Sequence, residues 1–208
     1  MSEKFFLLDT MALVFRAHFA FIKNPRRTVA GLNTSAVYGF INTVFDVLQS
    51  ENPDFLCAAL ESPTPTFRHE IYPEYKGRRQ ETPEDVTTAL PYILRFLDAM
   101  RIPAPYADGF EADDVAGTLA VAAARAGVSV YLMTSDKDYA QLVGPGVYLY
   151  RPALGKKPKA TLDAEGVKKE YGVEPHQIPD WLALMGDDVD NIPGVPGVGE
   201  KSAAKLIE

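Results

Sequence analysis

Four short runs of consecutive apolar residues punctuate the chain: Phe5 to Leu8, Phe55 to Leu60, Val128 to Met133 and Val147 to Tyr150. Apolar side chains at successive rather than alternate positions predict strands buried on both faces, as in a parallel sheet. Between these runs the spacing changes to the helical period. Residues 34–51 (TSAVYGFINTVFDVLQSE) carry apolar positions at helical spacing after a Thr/Ser start. Residues 82–100 (TPEDVTTALPYILRFLDAM) open with Thr82 as a cap, Pro83 at the first helical position and early acids. Pro91 is expected to kink that helix. Residues 111–127 (EADDVAGTLAVAAARAG) are Ala-rich and stop at Gly127, a C-cap signal. Strands alternating with helices predict an α/β domain, its mainly parallel central sheet flanked by helices through right-handed crossovers.

From about Thr161 the pattern breaks into short helices separated by Gly and Pro. The expected division is therefore an α/β core over residues 1–160 and a helical subdomain over residues 161–208. Two stretches follow neither period. Residues 62–82 are rich in Pro, Tyr and basic side chains and too long for a plain connector. Residues 152–159 (PALGKKPK) read as an exposed turn.

Composition narrows the class without changing the fold. With 208 residues, 47% hydrophobic and 24% charged, the chain has the make-up of an ordinary soluble globular domain. No apolar run approaches the roughly 20 residues a membrane-spanning helix needs, and the N-terminus lacks the long apolar region of a secretory signal. The lone Cys57 excludes an internal disulfide and suits a reducing cytosol. The net charge of −7 argues at first against nucleic acid. If nine of the 28 acids hold metal ions, however, 28 − 9 leaves 19 acids against 21 Lys and Arg, and the remainder is slightly basic.

Those nine acids are distinguished by placement. Asp9 ends the first strand, Glu61 follows the second, and Asp136 and Asp138 follow the third in TSDKDYAQL. Ligands of open parallel sheets bind outside the carboxyl ends of the strands. Glu111, Asp113 and Asp114 open a helix, and Asp187 and Asp190 lie in MGDDVDN before a Gly-rich turn. Taken singly, an Asp after a strand is a turn residue or helix cap, and acids at a helix start favour its dipole. Together they would repel unless cations held them. Oxygen-only ligands without a His or Cys cluster favour hard ions such as Mg²⁺ or Mn²⁺, and a pair of these suits in-line phosphoryl displacement. His18, His69 and His176 share no ligand spacing and read as structural.

Two further segments point to a polymer. Residues 191–208 (NIPGVPGVGEKSAAKLIE) place Gly194, Gly197 and Gly199 before a helix opening with Glu200 and Lys201. Preceded by a short helix from Ile178 to Met185, the stretch reads as a helix–hairpin–helix, whose free amides grip backbone phosphates. A plain helix connector is the bland reading. Residues 66–79 (TFRHEIYPEYKGRR) interleave Arg68, His69, Lys76, Arg78 and Arg79 with Phe67, Tyr72 and Tyr75, so that basic groups could hold phosphates while aromatics stack on bases. Here the bland reading is a solvated basic loop with buried Tyr.

The segments LLDTMALVFRAHFA, PTFRHEIYPEYKGRR, GFEADDVAGTLA, TSDKDYAQLV and MGDDVDNIPGVPGVGEKSAAKL, spread over residues 7–206, resemble the 5′ nuclease (flap endonuclease-like) family. Within it the resemblance is to the N-terminal 5′→3′ exonuclease domain of bacterial DNA polymerase I. The resemblance implies a PIN-like fold and a metal-dependent phosphodiesterase that trims 5′ ends and removes flaps, RNA primers included, in replication and repair. It implies that Asp9, Glu61, Glu111, Asp113 and Asp114 serve one metal position, and Asp136, Asp138, Asp187 and Asp190 a second. Lys76 and Arg79 match the basic pair that approaches the scissile phosphate. Arg16 matches a basic position of the first helix, and the glycine turn matches a duplex-binding hairpin that often holds K⁺. Arg68, Tyr75, Arg78 and Lys201 join the expected DNA contacts. A bacterial cytoplasmic, nucleoid-associated setting is implied, with covalent linkage to polymerase domains in a longer protein.

Two departures stand out. The family usually has Asp where this chain has Glu61, and Glu61→Asp is expected to leave cleavage equal or improved. The chain also stops about one turn into the helix after the glycine turn, as expected for a fragment or truncated homologue. A non-catalytic DNA-binding homologue is the first alternative, although a pure binder needs no second acid cluster. A small-molecule phosphohydrolase is another, and the glycine turn and aromatic-basic loop argue against it.

Overall fold

The computed structural model describes residues 2–155 and 157–208. Five strands form one sheet in the order β2-β1-β3-β4-β5: β1 (Lys4–Asp9), β2 (Phe55–Ala59), β3 (Ser129–Met133), β4 (Val147–Arg151) and β5 (Ala160–Leu162). The four apolar runs are the four parallel strands. β5, three residues long and antiparallel to β4, carries no apolar run and was not expected. It is reached through residues 152–159, where Leu154 bridges to Lys157, so this segment is the connection of a hairpin. The expectation of a turn there also covers Lys156, which lies outside the described residues.

Both faces of the sheet are buried because successive side chains alternate across it. Phe6 and Leu8 pack with Leu13 and Val14 of α1 (Thr10–Phe21), Phe40 and Val44 of α2 (Ser35–Glu51), and Val86 and Ile93 of α4 (Glu84–Ala99). Leu7, Leu132 and Leu149 face the other way, onto Ala112, Ala116 and Ala120 of α5 (Ala112–Arg125). The same second core takes in Val167 of α6 (Ala164–Tyr171), Trp181 of α7 (Ile178–Met185) and Ala203 of α8 (Glu200–Ile207). A division between residues 160 and 161 therefore falls within β5, and the C-terminal helices share a core with the sheet.

Residues 62–82 are more ordered than their composition suggests, holding the short helix α3 (Phe67–Ile71). The helix over residues 82–100 begins later than expected. Pro83 occupies the N-cap position without a side-chain cap, Thr82 lies outside, and the helix runs on through Pro91 to Ala99. Gly127 follows the end of α5 at φ +86°, a left-handed conformation that glycine adopts without steric cost. His18 and His69 are structural as expected: His18 Nδ1 sits 2.8 Å from Asp85, and His69 Nδ1 accepts from the Thr66 amide at 3.2 Å. No helix among the described residues is long and apolar enough to cross a membrane.

Candidate active site

β1 lies between β2 and β3, so the connections leaving it and returning to the sheet diverge at its carboxyl end. Such a point opens a crevice in a parallel sheet. Asp9 is in register with Ala59, and Leu8 with Met133, which sets Thr134 beside Asp9. The fully buried Thr134 hydroxyl donates to Asp9 Oδ2 at 2.7 Å, and Asp9 Oδ1 accepts the Ala12 amide at 3.1 Å as the N-cap of α1. Burial, with Asp136 and Glu61 nearby, raises the Asp9 carboxyl to about 6 despite those bonds.

An open cleft of about 450 Å³ is lined by Asp9, Glu61, Glu111, Asp113, Asp136, Asp138 and Asp190 together with Lys76, Arg78 and Arg79. Seven of the nine sequence-selected acids thus meet. Thr134 also organises the turn after β3, where its Oγ1 accepts the Asp136 amide at 3.0 Å and Asp136 Oδ1 accepts the Asp138 amide at 2.9 Å. Glu61, exposed beyond β2, accepts the Ala112 amide at the start of α5 at 3.2 Å. Burial raises Asp113 to about 6, helped by Asp114, and raises Asp138 to about 7, helped by Asp136. One carboxylate oxygen of each, Asp113 Oδ1 and Asp138 Oδ1, is buried without a hydrogen-bond partner. Buried carboxylate oxygens left this way are costly unless a cation completes them.

Asp114 and Asp187 stand outside this lining. Asp114 receives Arg68 in two bonds of 2.6 and 2.9 Å and the Glu111 amide at 3.0 Å. Asp187 Oδ2 lies 2.7 Å from Lys137 Nζ, while its Oδ1 accepts the amides of Val189 and Asp190. Burial works against both charges, but the paired cations hold both carboxyls below the usual range. Among the described residues no three acidic, His or Cys side chains stand in metal-binding geometry. The donor set, all oxygen with two unpartnered buried atoms, nevertheless suits a hard divalent cation.

The expected DNA contacts divide. Arg78 is exposed on the cleft and Lys201 is exposed in the first turn of α8. Tyr75, read as a stacking residue, is 8% exposed. Its hydroxyl lies 3.0 Å from both Glu111 Oε2 and Asp190 Oδ2, so it braces the floor of the cleft. Arg68 is spent on Asp114. Arg16 hydrogen-bonds the carbonyls of Pro152 and Ala153 and lines a separate depression beside Phe19 and Arg151.

In the glycine turn, a Cβ on Gly194 would lie 2.3 Å from the Met185 carbonyl, and Gly197 has φ +82°. Gly199 is extended with open space beside it. Among the described residues the amides of Gly197 and Gly199 make no hydrogen bond. Trp181 Nε1 donates to Glu200 O at 3.0 Å and joins α7 to α8 across this turn. Sequence reasoning missed Thr134, Lys137 and Asn191. A hydroxyl residue between an apolar strand and an Asp was the available signal for Thr134, whereas the other two act only through partners distant in sequence.

Comparison with known proteins places the chain in a family and matches its fold. Residues 4–172 match the family described as 5′-3′ exonuclease, N-terminal resolvase-like domain, and residues 173–208 match 5′-3′ exonuclease, C-terminal SAM fold. The chain is 42% identical over 215 residues to DNA polymerase I of Synechocystis sp., covering 99% of this chain but only 22% of that protein. It is 37% identical to a 5′-3′ exonuclease of Aquifex aeolicus, covering 98% of this chain and 68% of the relative. The fold matches T5 5′-exonuclease solved with zinc bound, with a TM-score of 0.76 at 22% identity, over 99% of this chain and 74% of the other. The acid-lined cleft at the sheet's carboxyl edge and the C-terminal helical unit thus sit on the fold of known nucleases, and the chain belongs to the 5′-3′ exonuclease family.

Proposed function

We propose that the chain is a structure-selective 5′→3′ exonuclease and 5′-flap endonuclease that hydrolyses DNA phosphodiesters with the help of divalent metal ions in replication and repair. The observation that carries this reading is the cleft itself, where seven carboxylates, two with unpartnered buried oxygens, face Lys76, Arg78 and Arg79. Asp9, Glu61, Glu111 and Asp113 would hold one ion, and Asp136, Asp138 and Asp190 a second. Asp114 and Asp187 join them directly, or position them through the Glu111 and Asp190 amides they already accept. Mg²⁺ or Mn²⁺ bound there would activate water and neutralise charge on the phosphoryl oxygens.

The chain's own groups supply the rest. Lys76 and Arg79 stand at the cleft to stabilise charge on the scissile phosphate. Arg78 and Lys201 offer exposed phosphate contacts, and the free amides of the glycine turn hold duplex backbone without reading bases. A K⁺ ion at that turn belongs to the same reading, as do RNA primers among the substrates and polymerase domains in a longer protein.

The test uses a labelled 5′-flap duplex with and without Mg²⁺ or Mn²⁺. Cleavage is expected only with metal and is expected to fall at least roughly a hundredfold in Asp187→Ala, the scale of losing a charge-stabilising group. Cleavage no greater than that of the variant in either metal overturns the enzyme reading, and tight flap binding without cleavage would make the chain a DNA-binding protein.

A further inference from the structure

The acids of the cleft are partly neutralised from within the chain. Lys76 Nζ lies 2.7 Å from Glu111 Oε1, and the Arg79 guanidinium pairs with Asp190. These two cations come from one segment, whose backbone is fastened without them. The Lys76 amide donates to Asp190 O at 3.0 Å, Asn191 Nδ2 donates to Glu74 O at 2.8 Å, and the Tyr72 hydroxyl donates to Asn191 O at 3.1 Å. Lys76 at φ +57° and Asn191 at φ +59° meet at this joint, both in the left-handed region. The Lys76 and Arg79 side chains can therefore leave their carboxylates while the backbone stays tied. Of the cleft acids, Glu111 and Asp190 are directed at an ammonium and a guanidinium group, and among the described residues no three acids converge on one point.

We propose that Lys76 and Arg79 are exchangeable counter-cations: they hold Glu111 and Asp190 in the metal-free protein, and divalent ions entering the cleft displace them toward the substrate phosphate. The proposal rests on the metal-dependent nuclease reading and adds an order of events to it. A divalent ion and an ammonium group cannot share the same carboxylate oxygens without strong repulsion at the few ångströms involved. Each metal ion bound thus frees a phosphate-binding cation in the position where the phosphate arrives. Because coupling is reciprocal, a phosphate-bearing ligand that draws Lys76 and Arg79 away also tightens metal binding.

Calorimetric titration of the DNA-free chain with Mn²⁺ tests this without reading activity. Lys76→Gln removes a competitor and is expected to bind Mn²⁺ roughly tenfold more tightly, the scale of one charge-assisted hydrogen bond. Arg78→Gln is the control for general charge, because Arg78 lines the same cleft yet forms no ion pair among the described residues; it is expected to change affinity less than roughly twofold. Equal or weaker Mn²⁺ binding by Lys76→Gln, or an equal gain in Arg78→Gln, overturns the proposal. A second measurement needs no variant. Reductive methylation read by mass spectrometry should label Lys76 severalfold faster with Ca²⁺ than without, while the exposed Lys201 is unchanged. Identical labelling of Lys76 overturns the proposal. A wild-type chain that binds metal and cleaves DNA while Lys76→Gln shows unaltered affinity sinks the exchange alone, whereas a chain that binds no divalent ion sinks the metal reading with it.

Discussion

Asp9 ends β1 and Glu61 follows β2 at the same edge of the sheet, yet their surroundings differ. Asp9 is 7% exposed and fixed by a hydroxyl and an amide, whereas Glu61 is exposed and reaches one amide of α5. Glu61 reaches that helix with its Oε2, one methylene further out than an Asp carboxylate would lie. Glu61→Asp is expected to lose this bond and about 0.5–1 kcal/mol of stability in urea unfolding, while cleavage of a 5′ flap stays equal or improves. A large loss of cleavage would show that the cleft is shaped around Glu. At this scale the meeting of Asp9, Glu61 and Asp136 was legible, because a strand end is visible as the end of an apolar run. It did not show what they bond to. The partners of Asp114 and Asp187 are Arg68 and Lys137, 46 and 50 positions away, and no local periodicity encodes such distances. Tyr75 left both readings open for the same reason, since an aromatic ring among basic residues looks alike whether it faces a base or two carboxylates.

Among the elements, α1 left no clear period although Leu13, Val14 and Ala17 are buried. The four parallel strands and helices α2, α5 and α7 stood out because each supplies a face to one of the two cores. β5 and α3, of three and five residues, bury too little to leave a pattern. The glycine turn is a case where element geometry makes a sharp test. A Cβ at Gly194 meets the Met185 carbonyl at 2.3 Å, while one at Gly199 meets open space. Gly194→Ala is therefore expected to cost about 1–3 kcal/mol through forced backbone shifts and to weaken duplex binding in a fluorescence anisotropy titration. Gly199→Ala should leave both nearly unchanged, and similar losses in the two variants would contradict this packing.

For the molecule as a whole, the cleft acids with raised carboxyls set the pH response. Asp9 and Asp113 are raised to about 6 and Asp138 to about 7, from an ordinary value of 3.8. Between about pH 4 and 7 the metal-free native state then binds more protons than the unfolded chain, so its stability falls as pH rises through that window. Asp114 and Asp187 are shifted down, and their contribution is lost only below the ordinary carboxylate range, outside this window. The metal-free protein should melt several degrees higher at pH 5 than at pH 7.5 in scanning calorimetry, and Mg²⁺ should recover that difference at the higher pH. A melting temperature that rises from pH 5 to 7.5 without metal would show that these carboxyls are solvated after all.

The core shared between sheet and C-terminal helices has a consequence for the product. Leu132 and Leu149 pack in one cluster with Val167, Trp181 and Ala203, and Trp181 holds the start of α8 through Glu200. The hairpin that would seat the duplex cannot drift relative to the acids that would cut it. On the proposed nuclease reading, the span between them would be a gauge laid along the nucleic acid, and the nucleotide at which the strand parts would be set by the hydrophobic core and not by any base.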